Sequence, residues 1–488
     1  MKRAVAAALL AGSFAFTACG SDDSGDSSAP TSSSAGGSST TAGGSSTTAD
    51  EKTATARASS FGNGGIAALP LSADAHDRLM AVTIAPDGKV YAAGFVNQGG
   101  DQAFALTRID PETAKLDTSF GNSGVATVNV AVGGKTAELA RAVRVQADGK
   151  IVIAGPFEAD PAGAGDAAKD TNVALARFDA TGKIDASFGQ GGVAKLDFGT
   201  GKATSATAFV GDTSWGIAGG PGERTYVFGS RLADGADRVD ADYVVAAVTS
   251  AGVLDSSFGT GGTVTVDPKT SGVDSPRGII VQDDGKIVTA VYTRDGDGIV
   301  SPVVLRLTPT GDLDTTFGTG GFASAAVLAG VAEAYNIARH DDGYVLAGYG
   351  RGADANEKVD HIVYRFTDTG AWDQSFGDNG VVRLDLAKED DRARNVTALE
   401  DGRILTAGSG KKTAADIDGM AVLLDASGKP VADFGTSGYD LMDLGGPADS
   451  LYGLAVSPDG DYAVIVGYKG VEANGGGNDD AVAVRIDL

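Results

Sequence analysis

Cysteine, histidine and tryptophan are nearly absent: one Cys, three His and two Trp stand in 488 residues. A lone Cys19 excludes an internal disulfide and a Cys-x-x-Cys redox or zinc motif. His76, His340 and His361 have no His-Glu-x-x-His spacing, so a zinc site would have to be assembled from distant segments. Trp215 and Trp372 read as single packing residues rather than members of a repeated docking motif. Positive charge is scarce as well. The 39 Lys and Arg face 64 Asp and Glu, a net −25; losing Lys2 and Arg3 with a leader leaves 37 against 64, or −27. Such a balance disfavours nucleic acid and anionic headgroups as partners and suits solubility or cation binding.

The apolar run Ala4 to Phe16 follows Met1-Lys2-Arg3 and falls short of the roughly 20 residues a membrane span needs. It ends in Phe16-Thr17-Ala18-Cys19-Gly20, which resembles the lipobox of bacterial lipoproteins, with Phe16 where that motif most often has Leu. The expectation is a signal peptide over 1–18 and a lipid-bearing Cys19. The protein would then sit in the bacterial cell envelope, outside the cytoplasm, with the membrane as a partner through that lipid. Residues 19–58 are almost wholly Ser, Thr, Gly, Ala and Asp, a composition that cannot bury enough apolar surface to fold. They read as a tether, either bare or carrying O-glycans.

Glycine, by contrast, is abundant at 72 residues. Much of it lies in a Phe-Gly turn that recurs at Phe61, Phe120, Phe188, Phe258, Phe317, Phe376 and Phe434, at intervals of 59, 68, 70, 59, 59 and 58 residues. A steady period of this kind marks a repeat architecture. In Asp117, Asp185, Asp255, Asp314 and Asp373 a carboxylate opens the turn, placed to hydrogen-bond the backbone two residues on, while Gly supplies positive φ. The Phe reads as a plug buried against the neighbouring repeat, which makes the motif structural before it is chemical.

One repeat shows the pattern in full. Ala142 to Gln146 alternates apolar with polar, Asp148-Gly149 is a two-residue hairpin signal, and Ile151 to Gly155 and Val173 to Phe178 are apolar runs. A Phe-Gly turn and a last alternating strand, Gly192 to Phe198, follow. The hairpin recurs at Asp87-Gly88, Asp284-Gly285, Asp342-Gly343, Asp401-Gly402 and Asp459-Gly460. With no helical period anywhere, the pattern predicts an all-β fold: a seven-bladed β-propeller of four-stranded antiparallel blades over residues 59–488. The chain stops at Ala481 to Leu488, a strand with no turn after it, while Ser60 to Leu69 holds a turn and a strand with no blade before it. The N-terminal strand should therefore close the ring as the outer strand of the last blade.

The motifs Asp-Gly-Lys-Ile-Val-x-Ala-Gly, Ala-Leu-Ala-Arg-Phe-Asp and Asp-x-Ser-Phe-Gly-x-Gly-Gly together resemble the delta-sixty repeat family of secreted and surface bacterial proteins. The third repeat departs, with Ala247 where others have Arg, as does the sixth, with Leu423 there and a shortened Val431-Ala432-Asp433-Phe434. The resemblance implies a propeller-like scaffold and no particular reaction.

Function should then lie where the repeats differ, on the loops 158–171, 230–242, 292–301, 349–360, 409–418 and 468–480, on 387–394, and at the mouth of the central channel. The reading is a monomeric, non-catalytic binding or adhesion scaffold for an envelope protein or glycan, with no cofactor expected, and with calcium-dependent adhesion as a third reading. The alternative is a polysaccharide hydrolase or lyase with acidic residues converging at the channel mouth. Asp295 and Asp297 begin like a calcium loop, but Ile299 and Arg306 occupy its fifth and twelfth positions. Asp101, Asp170, Asp240, Asp242, Asp360, Asp418, Asp479 and Asp480 cluster at strand starts, and read as blade-building turns or as partners for Arg108, Arg177, Arg306, Arg365 or Arg485.

Overall fold

A computed structural model describes residues 57–488, except 74–75, 132–137, 160–168, 204–208, 236, 269–273, 295–297, 355, 388, 414–415 and 471–478. Apart from 3-10 turns, the regular elements among the described residues are all strands. The described residues form two compact units. One comprises Ala93–Thr107 and Thr118–Ala334, the other residues 57–92, Arg108–Asp117 and Tyr335–Leu488.

The strands assemble as antiparallel meanders of four. Arg78–Ile84, Val90–Gln98, Asp101–Ile109 and Val125–Val128 form one, and Ala142–Val145, Ile151–Glu158, Thr171–Phe178 and Val193–Leu196 the next. Thr213–Gly219, Thr225–Leu232, Ala241–Val248 and Thr263–Val266 follow. Asp391–Ala398, Ile404–Thr413, Asp416–Leu424 and Tyr439–Met442 repeat the order. Between these lie Asp274–Val281, Ile287–Arg294, Val300–Leu307 and Phe322–Ser324, then Val331–His340, Gly343–Arg351, Asp360–Thr367 and Val381–Leu384. A single parallel pair, Val300 with Val331, joins those two groups into one eight-stranded sheet. The last sheet runs Ser450–Val456, Tyr462–Lys469, Asp480–Asp487 and then Ile66–Leu69, so the N-terminal strand pairs with the C-terminal one, Ile66 with Val484 through Leu69 with Ala481.

Second and third strands read as continuous apolar runs because both their faces are covered: every residue of Ile151–Glu158 is buried. First strands of successive sheets pack side by side, Ala142–Val145 against Thr213–Gly219 against Asp274–Val281 in one unit, and Asp391–Ala398 against Ser450–Val456 against Arg78–Ile84 in the other. The approach is close. A Cβ on Gly453 would lie 2.8 Å from Val82 N, so this position admits only glycine. Asparagines add a polar tie, Asn336 Nδ2 donating to Asn395 Oδ1 at 2.7 Å and Asn395 Nδ2 to Tyr452 O at 2.8 Å.

The seven repeat phenylalanines are all buried, none more than 5 % exposed. Their turn links third strand to fourth and ties one sheet to the next. Gly121, Gly189 and Gly259 N–H donate to the carbonyls of Thr181, Ala251 and Thr310 in the following repeat, and Gly377 N–H donates to Ser427 O. Gly189 sits at φ 54° with Val193 O only 2.2 Å from where a Cβ would stand, so both conformation and space demand glycine.

Here the arginines find partners other than the expected ones. Arg177 Nε donates to Asp185 Oδ2 at 2.9 Å and its guanidinium covers the Phe188 ring at 4.6 Å. Arg306 with Asp314, Arg108 with Asp117 and Arg365 with Asp373 repeat the pair. Arg485 instead bonds Pro111 O, Glu112 and Asp487. The strand-start aspartates cannot serve these arginines. Asp101 and Arg108 lie at opposite ends of one strand, about 23 Å apart at ~3.3 Å per residue. Nearer groups take them: Arg238 for Asp240 and Asp242, Arg383 for Asp360, Lys412 for Asp418, Arg78 for Asp479, Lys469 for Asp480 and Asn129 for Asp101. Asp170 accepts the amides of Thr171 and Gly201, which is a turn role.

Both irregular repeats keep the joint by compensation. Where the third has Ala247, Arg224, just before the adjacent strand Thr225–Leu232, reaches the turn carboxylate of Asp255. In the sixth, Leu423 replaces the Arg and Val431 the Asp, with the same backbone bond from Val431 N to Leu423 O.

Candidate functional site

First strands enter from the fourth strand of the preceding repeat, and at five of these entries a buried carboxylate fixes the chain. Asp77 accepts the amides of Leu71 and Ser72, Glu138 those of Val130 and Ala131, and Asp391 those of Leu386 and Ala387. Asp212 accepts Phe198 N–H and Asp449 accepts Leu444 N–H. Burial pushes Glu138 and Asp449 up to about 7, Asp212 to about 8 and Asp391 to about 6, against the downward pull of these donors. Asp77, Glu138, Asp391 and Asp449 each lie ten residues before the Asp of their hairpin, a regularity present in the sequence and passed over there.

A few residues further on, the pairing slips. Register shifts between Ser214 and Gly216, Pro276 and Ile279, Ala393 and Asn395, and Leu451 and Gly453 place Trp215, Arg277, Arg394 and Tyr452 in β-bulges. A bulge turns its side chain out of the regular alternation, and here the same position does so in four sheets.

In one unit the half-buried Trp215 ring lies between two guanidinium groups, Arg141 at 3.9 Å and Arg277 at 4.2 Å from its centre. Arg277 also donates to Tyr292 Oη at 3.0 Å. In the other unit the Arg394 guanidinium stands 4.5 Å from the centre of Tyr335 and 5.4 Å from that of Tyr452. Arg392 lies 4.9 Å over Tyr349, Tyr452 stacks on Tyr468 at 6.0 Å, and Arg78 covers Tyr468 at 4.0 Å while bonding Asp479. A guanidinium laid on a ring keeps its edge donors in a planar fork suited to carboxylate or sulfate, and ring faces suit the apolar side of a sugar. Each unit of this acidic protein thus gathers arginines and aromatic rings on and beside its first strands.

The expected catalytic chemistry assembles poorly. Carboxylates at the starts of first strands hold main-chain amides. His361 is fully buried against Thr406 Oγ1, and burial lowers it to about 3. His340 Nε2 meets Gly402 O in a hairpin. His76 alone sits by the array, Nδ1 3.8 Å from Asp479, at a backbone φ of 103°. Trp372 packs edge-on against Phe366 and donates to Asn379 O, whereas Trp215, also read from the sequence as a packing residue, lies between two guanidinium groups. Cys19, Asp295 and Asp297 lie outside the described residues. Asp418 is brought to Asp443 and Asp449, a grouping no motif announced.

The signal for the array was positional. Arg141 and Arg277 in one unit, and Tyr335, Arg394 and Tyr452 in the other, all stand seven residues before their hairpin Asp, at a place where the repeats disagree.

Residues 85–120, 146–188 and 282–317 match a family model described as a domain of unknown function (DUF5122) beta-propeller. With the four-stranded sheets, that match makes the fold a β-propeller. No curated protein matches the chain in sequence. Similar solved structures include a protein of unknown function from Dyadobacter fermentans, 11 % identical over 87 % of this chain and 98 % of that one, TM-score 0.42. The polysaccharide lyase Uly1 is 11 % identical over 86 % and 91 %, TM-score 0.44. An α-L-arabinofuranosidase, Arb93A of Fusarium graminearum, is 12 % identical over 70 % and 92 %, TM-score 0.38. Likeness at these levels assigns no activity. Among the described residues no helix is long and apolar enough to cross a membrane.

Proposed function

We propose that this chain is a cell-envelope lipoprotein of the delta-sixty repeat kind, displaying a closed seven-bladed propeller that binds an acidic glycan at the half-buried Trp215 and Arg141. The observation that carries the reading is the Trp215 ring, held by a β-bulge between the Arg141 and Arg277 guanidinium groups, at a position where three other sheets also break their pairing. A purely structural position would not need the pairing broken in sheet after sheet. Repetition of the four-strand group and the pairing of Ile66–Leu69 with Asp480–Asp487 support seven blades closed by the N-terminal strand. The lipobox at Cys19 supports the envelope address.

The experiment is retention of the full chain on immobilised polygalacturonate against neutral dextran, with Trp215→Ala and Arg141→Ala checked for unchanged melting. Retention by the acidic polymer alone, weakened about tenfold or more by either change, is the expected result. Equal retention on both polymers, or variants indistinguishable from the parent, overturns the reading. An enzymatic role rests on His76 beside Asp479. Release of shortened glycan by the parent chain and its loss in His76→Asn would put that reading first.

A further inference from the structure

We propose that Asp418, Asp443 and Asp449 form a calcium site. One carboxylate oxygen from each lies within 4.8 Å of the other two. Oxygens bound to one calcium ion at roughly 2.4 Å can stand no farther apart than about twice that, so the three can share an ion without rearranging the backbone. The donor set is all oxygen, which suits a hard cation and not the thiolate- and imidazole-seeking metals.

Closeness of acidic groups alone says little on so acidic a protein. The second observation is what burial does to them. Asp418 and Asp449 are 1 % and 0 % exposed, and Oδ1 of each is buried with no hydrogen-bond donor. Buried carboxylate oxygens normally have partners, because leaving one unmatched forfeits its hydration with nothing in return. The rest of each group is occupied: Asp449 Oδ2 accepts Leu444 N–H at 2.8 Å and Asp418 Oδ2 pairs with Lys412. Lys412 thus pairs with one of the three carboxylates. Asp443, the exposed member, tops the cluster while its Oδ1 accepts Gly445 N–H at 2.8 Å.

Position gives the site a role. Asp443 and Asp449 flank the segment that leads into Ser450–Val456, and Asp418 sits in the neighbouring strand Asp416–Leu424, joined to it by the Ile417–Ala448 bridge. An ion there would clamp the start of the strand whose bulge presents Tyr452. Asp443 and Asp449 come from one turn, Asp443-Leu444-Gly445-Gly446-Pro447-Ala448-Asp449, and calcium accepts six to eight oxygens in flexible geometry, so water can complete a shell begun by three carboxylates, whereas magnesium demands a near-ideal octahedron.

The test is calorimetric titration of the chelator-stripped full chain with calcium chloride and, separately, magnesium chloride, paired with melting in calcium or EDTA. Asp443→Asn is the informative variant, since the residue is exposed and the change keeps an acceptor for Gly445. The expected result is a calcium-dependent rise in the melting midpoint, with affinity about tenfold weaker in Asp443→Asn and magnesium much weaker in the parent. Identical parent curves in calcium and EDTA overturn the proposal. So does calcium binding that Asp443→Asn leaves unchanged, which would place the ion elsewhere, and so does equal binding of magnesium.

Discussion

Arg177 and Asp185 form the polar half of a joint whose apolar half is Phe188: the guanidinium bonds the carboxylate at 2.9 Å, covers the ring and donates to Ser250 O at 2.6 Å in the next repeat. Arg177 is buried and Asp185 nearly so. Ser187 and then Arg177 hold the Asp185 carboxyl well below the usual range despite its desolvation. Removing one partner strands the other, so Arg177→Leu should destabilise by about 3 kcal/mol. The sixth repeat shows a second solution, Leu423 with Val431. The double change Arg177→Leu/Asp185→Val should therefore be closer to the parent than Arg177→Leu alone. Urea melts of the parent, both singles and the double give the coupling, and simple additivity would contradict a paired joint.

Stability should fall as pH rises from about 5 to about 9. Glu138, Asp212, Asp391 and Asp449 have native values raised to about 7, 8, 6 and 7 by burial. Unfolded, they titrate near 4. A raised group favours the protonated native state, so its contribution is complete below the unfolded value and is lost as pH passes the native one. On the acid side the lowered Asp185 acts in the opposite sense and its contribution disappears below about pH 4. Melting midpoints in EDTA across pH 4 to 9 should peak near 5, and Asp212→Asn should flatten the alkaline limb. A midpoint that climbs steadily to pH 9 would refute the assignment.

Deleting residues 57–72 should cause cooperative loss of structure. That segment carries Phe61, fully buried, the Arg57–Asp440 ion pair, and the strand that covers the edge of Asp480–Asp487. Loss of a buried Phe alone is worth about 3–5 kcal/mol, and an uncovered edge strand adds aggregation. Circular dichroism melts of the truncated chain test this, and an unchanged midpoint would show that the terminal strand is dispensable.

Strand type, strand order and hairpins were legible because they depend on neighbours in sequence: alternation, Asp-Gly pairs and Phe-Gly turns are local signals, repeated often enough to confirm one another. The pairing of the two chain ends was legible too, since an unmatched strand at each end can satisfy the other. Partner choice was not. The strand-start aspartates and strand-end arginines of one element looked like partners, yet an extended strand holds them about 23 Å apart, while the turn folds Asp185 back onto Arg177. The bulges were invisible for a related reason: an extra residue in one strand is defined only against its partner's register. Trp215 and Arg277 are distant in sequence and meet because first strands of successive sheets lie side by side. Asp418 and Asp449 meet because the start of a third strand lies beside the entry to the next sheet's first strand, at the Ile417–Ala448 bridge. The sequence alone thus determined the repeating unit and its joints, through short-range geometry. Which arginines, rings and carboxylates share a site was decided only when the sheets packed, because that depends on contacts between repeats.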